Sequence, residues 1–167
     1  MVKVHHHLGE FEDPLNNYEP VEYTDALERA LVEETIAGIQ TRPYVEISPD
    51  HSVYRALQVL AGLRISSLLV VQAGKLVGVF TERDALQRVA SRYREIESMR
   101  VADVMTCHPV VVYETDPAAT ALGAIVAAGY RHVPVLDLHE QVVGVISPRR
   151  VLAFLQDRHR QQREPKD

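Results

Sequence analysis

The chain has one cysteine, Cys107, in 167 residues, so no internal disulfide can form. A single thiol fits a reducing compartment. No stretch approaches the roughly 20 uninterrupted apolar residues a membrane-spanning helix needs, and the N-terminus lacks an apolar signal core. These absences predict a cytoplasmic protein. The signatures of common catalysts are also missing: there is no Walker loop, zinc motif or dinucleotide fingerprint. Of eight histidines, His5, His6 and His7 lie in the N-terminal tail. Three histidines there have no defined geometry, so a tag remnant or tail is expected rather than a metal site. His51, His108, His132, His139 and His159 have no acid and nucleophile at triad-like spacing. Cys107 and His108 are neighbours in an extended segment, where adjacent side chains point to opposite sides. The expectation is a buried or half-buried thiol and a protein that is not an enzyme.

Charge is unevenly spread. Glu10 to Glu34 holds nine acids and one base, a balance of −8 (1 − 9), which leaves +3 (−5 + 8) on the rest. A mildly basic body suits a small ligand carrying phosphate better than duplex DNA, for which no basic recognition helix is apparent. Both values also fit ordinary solvated surface. Residues 1–23 predict an acidic extended arm, with Phe11, Leu15, Tyr18, Val21 and Tyr23 free of helical or strand period. Residues 24–40 predict a helix opened by Asp25-x-x-Glu28, with an apolar stripe of Ala26, Leu27, Ala30, Leu31, Ile36 and Ile39. That stripe is expected to pack on the first part of the body or on a second subunit.

The body is an internal duplication. Gly78-Val79-Phe80-Thr81-Glu82-Arg83-Asp84 returns as Gly144-Val145-Ile146-Ser147-Pro148-Arg149-Arg150, 66 positions later (144 − 78), and Pro43 returns as Pro109 at the same offset (109 − 43). Ile65 to Leu69 returns as Tyr130 to Pro134 at 65 (134 − 69), so one insertion or deletion separates the copies. Leu68 to Val71 and Val133 to Leu136 are hydrophobic runs, each followed by a polar turn and a second strand bearing the glycine. Val53 to Gly62 and Ala118 to Gly129 have helical spacing. Each copy therefore predicts strand, helix, strand, strand, helix: residues 41–98, then 99–157, with a flexible tail at 158–167. The fold class is α/β. Neither copy alone can hide both faces of its sheet, so one globular unit is expected.

The twice-repeated pattern resembles a tandem pair of CBS domains, a Bateman module, over roughly Thr41 to Leu155. The marks are the proline-led first strands, Val133-Pro134-Val135-Leu136, the segment Val101-Ala102-Asp103-Val104-Met105-Thr106, and Gly-x-x-Thr-x-x-Asp at Gly78 to Asp84. The resemblance implies two βαββα repeats packed with pseudo-two-fold symmetry. It also implies an adenosine-containing regulatory ligand such as AMP, ADP or ATP, no required cofactor, no nucleic acid and no membrane. Thr81 and Asp84 would hold the ribose, whose adjacent hydroxyls suit a two-oxygen acceptor; the same residues also fit a plain helix cap. Thr41, Tyr44 and Ser67 would surround the adenine of that site. Arg131 and His132 would face phosphates, though a surface pair is the plainer reading. In the second copy Ser147, Arg149 and Arg150 stand where the motif recurs, with Arg150 in place of the ribose-binding Asp. A guanidinium only donates, so this cleft should lack the ribose grip while Arg149 and Arg150 reach phosphate. CBS pairs also commonly dimerise, and the alanines of 118–128 would let another helix approach closely. The regulated target would be a partner protein or the chain's own homodimer. The rival expectation is an interaction protein with vestigial sites that acts through its acidic arm.

Overall fold

The structure is a computed structural model that describes residues 22–163. The histidine triplet, the arm as far as Val21 and the last four residues lie outside it. In chain order the elements are α1 (Ala26–Glu33), β1 (Glu46–Ile47), α2 (Val53–Leu63), β2 (Ser67–Gln72), β3 (Lys75–Thr81), α3 (Glu82–Asp84), β4 (Thr106–Cys107), β5 (Val112–Tyr113), α4 (Ala118–Ala128), β6 (Val133–Leu136), β7 (Val142–Ile146) and α5 (Pro148–Arg163). They build two small sheets, β1-β2-β3-β4 and β5-β6-β7. In each, a parallel first strand lies beside an antiparallel hairpin. No helix among the described residues is long and apolar enough to cross a membrane.

Local chemistry accounts for the main elements. Asp25 caps α1, accepting from the N–H groups of Leu27 and Glu28 at 2.8 Å. Ser52 caps α2 through Arg55 N–H at 3.2 Å. This helix buries Val53, Ala56 and Leu60, the spacing of one face, and stops at Arg64 in the left-handed region. Gly129, with φ +65, terminates α4 in the same way. Strands β2 and β6 are central and apolar on both faces: Leu68, Leu69 and Val70 are at most 1 % exposed, and Val133 and Val135 are 0 %.

The two repeats exchange their leading segments. Ile36 and Ile39, which precede the first repeat, belong to the core of the second with Val112, Ala118, Ala121, Val133, Val135, Ile146, Val151 and Phe154. Val101 and Val104, at the leading end of the second, belong to the core of the first with Ile47, Val53, Ala56, Leu68 and Phe80. The backbone repeats the same trick twice, 65 positions apart (118 − 53; 99 − 34). Ala118 N–H donates to Glu34 O and Val53 N–H to Met99 O, both at 2.8 Å. Ile36 N–H donates to Asp116 O and Val101 N–H to His51 O, both at 2.9 Å. Each helix thus has its first turn capped by the segment that crosses over from the other repeat. A third cluster, Leu69, Val79 and Val145 with Tyr44, Val71, Leu76 and Val142, joins the two sheets.

This exchange corrects several expectations. The helix expected over 24–40 ends at Glu33, because Glu34 is extended and its carbonyl is taken by α4; a 3-10 turn, Ile36–Gly38, follows. Its apolar stripe packs not on the first repeat but on the second, where Ala30 and Leu31 meet the α4 and α5 side. Of the α4 alanines expected to receive a partner's helix, Ala118 and Ala121 are 0 % exposed and belong to the core of the second repeat. The first strand of the second copy is split, β4 pairing with β3 of the first sheet and β5 with β6. The run after Asp84, where α3 ends, is a π-turn over Ala85–Val89 and then a 3-10 stretch broken at Arg92, rather than one α-helix. Cys107 is exposed, not buried, because β4 is the edge strand of its sheet.

Candidate functional site

Where β3 runs into α3, Thr81 and Asp84 form a reciprocal capping box. Asp84 Oδ2 accepts from Thr81 N–H at 2.9 Å and from Thr81 Oγ1 at 2.7 Å. Asp84 N–H donates back to Thr81 Oγ1 at 3.2 Å. Asp84 Oδ1 accepts from Thr106 Oγ1 at 2.9 Å, and Arg88 Nη1 stands 3.4 Å from it. Asp84 is 5 % exposed, so this carboxylate is a buried charge whose compensation comes from both repeats. Arg88 Nη1 also donates to the carbonyls of Val104 and Met105, at 2.9 and 2.6 Å, and fixes the crossing segment beneath Asp84.

The crossing passes close to the strand that bears the motif glycine. A Cβ on Gly78 would lie 2.6 Å from Met105 Sδ and 2.9 Å from Thr106 O, and one on Gly144 would lie 2.8 Å from Thr41 O. Glycine at both motif heads is a packing requirement of the exchanged segments, independent of any ligand.

Above Asp84 opens a cleft of ≈ 510 Å³ between the repeats. The first repeat brings Ser66, Thr81, Glu82, Arg83, Leu86 and Gln87; the second brings Thr106, Pro109, Tyr130, Arg131 and His132. Arg83 and Arg131 are exposed cations at its margin, opposed by Glu82. His132 Nε2 lies 3.1 Å from Ser66 Oγ, a contact between the two hairpins' leading residues. Among the described residues no group of three or more His, Cys, Asp and Glu is arranged to hold a metal.

Burial pushes the His132 pKa down; Glu82 opposes this, while Arg150 and Arg131 add to it. His132 is therefore uncharged at neutral pH and serves as a hydrogen-bonding group there. Because its folded-state pKa lies below its unfolded value, its contribution to stability is present above about pH 6.5 and is lost as pH falls through the folded pKa. The expected result is a larger fall in midpoint temperature for wild type than for His132→Gln between about pH 7 and pH 5. Equal falls would remove His132 from the acid response.

The corresponding position of the second copy is built differently. Arg150, at the position of Asp84, donates from Nη1 to the carbonyls of Thr41 and Val145 and from Nη2 to Pro43 O at 2.6 Å. Its guanidinium ties the crossing segment to β7 and is not turned to the phosphate position expected of it. Arg149 is exposed and Ser147 half-buried.

The adenine residues expected at the Asp84 site also lie elsewhere. Thr41 is packed against Gly144, and Tyr44 Oη donates to Val142 O at 3.0 Å, both on the second sheet. Ser67 pairs with Thr81 in the ladder, while its neighbour Ser66 faces the cleft. The cleft thus gathers Thr81, Asp84, Arg131 and His132 from the expected set, and excludes Thr41, Tyr44 and Ser67. Thr106, Pro109, Ser66 and Tyr130 take their places. Thr106 stands in the Val101 to Thr106 segment, and the ladder makes it the counterpart of Thr41: Thr106 pairs with Val79 and Thr41 O accepts from Val145 N–H. Anchoring the copies on Pro43 and Pro109 hides this, because the second copy has one more residue between Thr and Pro. His108, with φ +48, absorbs it.

The structure is thus an α/β pair of interlocked repeats with a cleft between them. The CBS domain family matches residues 36–91 and 101–157, and the chain belongs to that family as a tandem pair. CBSX2 from Arabidopsis thaliana, solved in complex with AMP, is 26 % identical with a TM-score of 0.64, over 74 % of this chain and 97 % of that one. A CBS-domain containing protein from Agrobacterium tumefaciens is 28 % identical with a TM-score of 0.60, over 67 % and 89 %. Among curated proteins, the chain is 32 % identical over 109 residues to inosine-5′-monophosphate dehydrogenase of Methanocaldococcus jannaschii, and 27 % identical over 111 residues to the CBS domain-containing protein CBSCBSPB1 of Arabidopsis thaliana. The aligned regions span 21 % and 20 % of those relatives' own length.

Proposed function

We propose that this protein is a regulatory module that binds one adenosine-type ligand per chain, in the Asp84 cleft, and passes the occupancy to a partner or to its own homodimer. The observation that carries this is the cleft between the repeats: an acceptor pair on Asp84 at its floor, the apolar groups of Val79, Pro109 and Leu86 on its walls, and Arg83 and Arg131 at its margin. A sugar diol, a flat base and an anionic tail find matching chemistry in that order. CBSX2, which holds AMP, supports the choice of ligand class. Single occupancy follows from Arg150, which offers a ribose no acceptor and spends its donors on backbone carbonyls. Exposed Val126 and Leu152, on α4 and α5, leave apolar surface for a second copy.

Calorimetric titration with adenosine, AMP, ATP and S-adenosylmethionine tests the ligand, with light scattering on the same sample for the mass. One binding event per chain is expected for at least one of them, and a dimeric mass. Two equal events would restore the second cleft. No binding by any would favour the rival reading, an interaction protein with vestigial sites, for which the internally satisfied Asp84 is the observation in hand.

A further inference from the structure

A carboxylate offers about four acceptor positions, and in Asp84 most are taken. Oδ2 holds two donors from Thr81. Oδ1 holds Thr106 Oγ1 at 2.9 Å and is ion-paired at 3.4 Å to Arg88 Nη1, whose hydrogen bonds go to the carbonyls of Val104 and Met105. One place remains on Oδ1, enough for one hydroxyl but not for the adjacent pair of a ribose. To grip both, Asp84 has to release a donor. The Thr81 groups are poor candidates, since the N–H belongs to the helix cap and Oγ1 also accepts from Asp84 N–H. Thr106 Oγ1 has no other hydrogen bond among the described residues, and it lines the cleft.

We propose that Thr106 sets the sugar specificity of the Asp84 cleft: its hydroxyl occupies on Oδ1 the place of one ribose hydroxyl and is displaced when a ribose binds. The inference rests on the adenosine reading above. Thr106 is a positioning residue brought by the other repeat and held in place by β3 pairing and by Arg88. Displacement therefore acts on the segment that locks the two repeats together. The second copy has no counterpart of this exchange, since Arg150 meets the carbonyl of Thr41 and presents no acceptor.

The test is calorimetric titration of wild type, Thr106→Val and Thr106→Ser with adenosine, 2′-deoxyadenosine and 3′-deoxyadenosine. Removing the competing donor in Thr106→Val should tighten adenosine by about two- to tenfold, the equivalent of one ordinary hydrogen bond. The deoxy forms, which need only the place already open, should change little. Discrimination between ribose and deoxyribose should widen in Thr106→Val and return to the wild-type value in Thr106→Ser. Thr106→Ala, which also lacks the hydroxyl, must behave as the Val variant does and serves if that one folds poorly. Unchanged or weaker adenosine binding in both, or an equal gain for all three ligands, overturns the proposal while leaving the adenosine reading intact. Failure of wild type to bind adenosine strikes the adenosine reading itself, and the exchange falls with it.

Discussion

Asp84→Ala is expected to lower stability by about 2–4 kcal/mol and to weaken an adenosine ligand at least about tenfold. The two effects have different origins. Without the carboxylate, Thr81 N–H loses its cap acceptor, the hydroxyls of Thr81 and Thr106 lose theirs, and Arg88 loses the charge 3.4 Å away. Water can reach only part of this set, because the position is 5 % exposed. Binding suffers because no remaining group at the floor of the cleft accepts from two hydroxyls. Asp84→Asn separates the effects: it keeps the shape and one acceptor, so chemical denaturation should show a smaller loss, while calorimetry should still show most of the loss in affinity. Wild-type affinity in both variants would remove Asp84 from the ligand site and leave it as a cap and cross-link.

Much of the fold was legible in the sequence, and the reason is visible in particular residues. Continuous apolar runs at Leu68 to Val71 and Val133 to Leu136, each before a turn, are the first strands of the central hairpins of the two sheets. The 66-residue repeat of Gly78 and Gly144 marks the two places where a crossing segment touches a strand. Thr81 and Asp84 were readable as ribose ligands or as a helix cap, and the geometry realises the cap, through the same atoms a ribose would engage. What could not be read was which copy each leading segment serves. Sequence order assigns Thr41 and Tyr44 to the first repeat, whereas packing assigns them to the second sheet; a periodicity argument contains no information about an exchange between equivalent partners. Arg150 was readable as a loss of the ribose acceptor but not as a clamp, since two of its three acceptors are backbone carbonyls more than a hundred positions away, Thr41 and Pro43.

The exchange also sets how the molecule unfolds, and Ile36→Ala exposes it. Ile36 precedes the first repeat, is 0 % exposed, and lies in the core of the second among Val112, Val133 and Ile146. Truncating it to alanine leaves a cavity and should cost about 2–5 kcal/mol, a drop in midpoint on the order of 10 °C for a chain of this size. If the repeats were independent, this loss would fall on the second alone and calorimetry would resolve two transitions. The crossing makes a different demand. The Ile36 segment carries the chain into β1, its Glu34 carbonyl caps α4, and the matching Val101 segment holds the first core and caps α2 through Met99. Neither core can open without withdrawing a strand or a cap from the other. A single transition is therefore expected in both wild type and Ile36→Ala, with equal calorimetric and van't Hoff enthalpies. Two resolved transitions in the variant would mean that the crossing segments decorate two self-sufficient cores rather than join them.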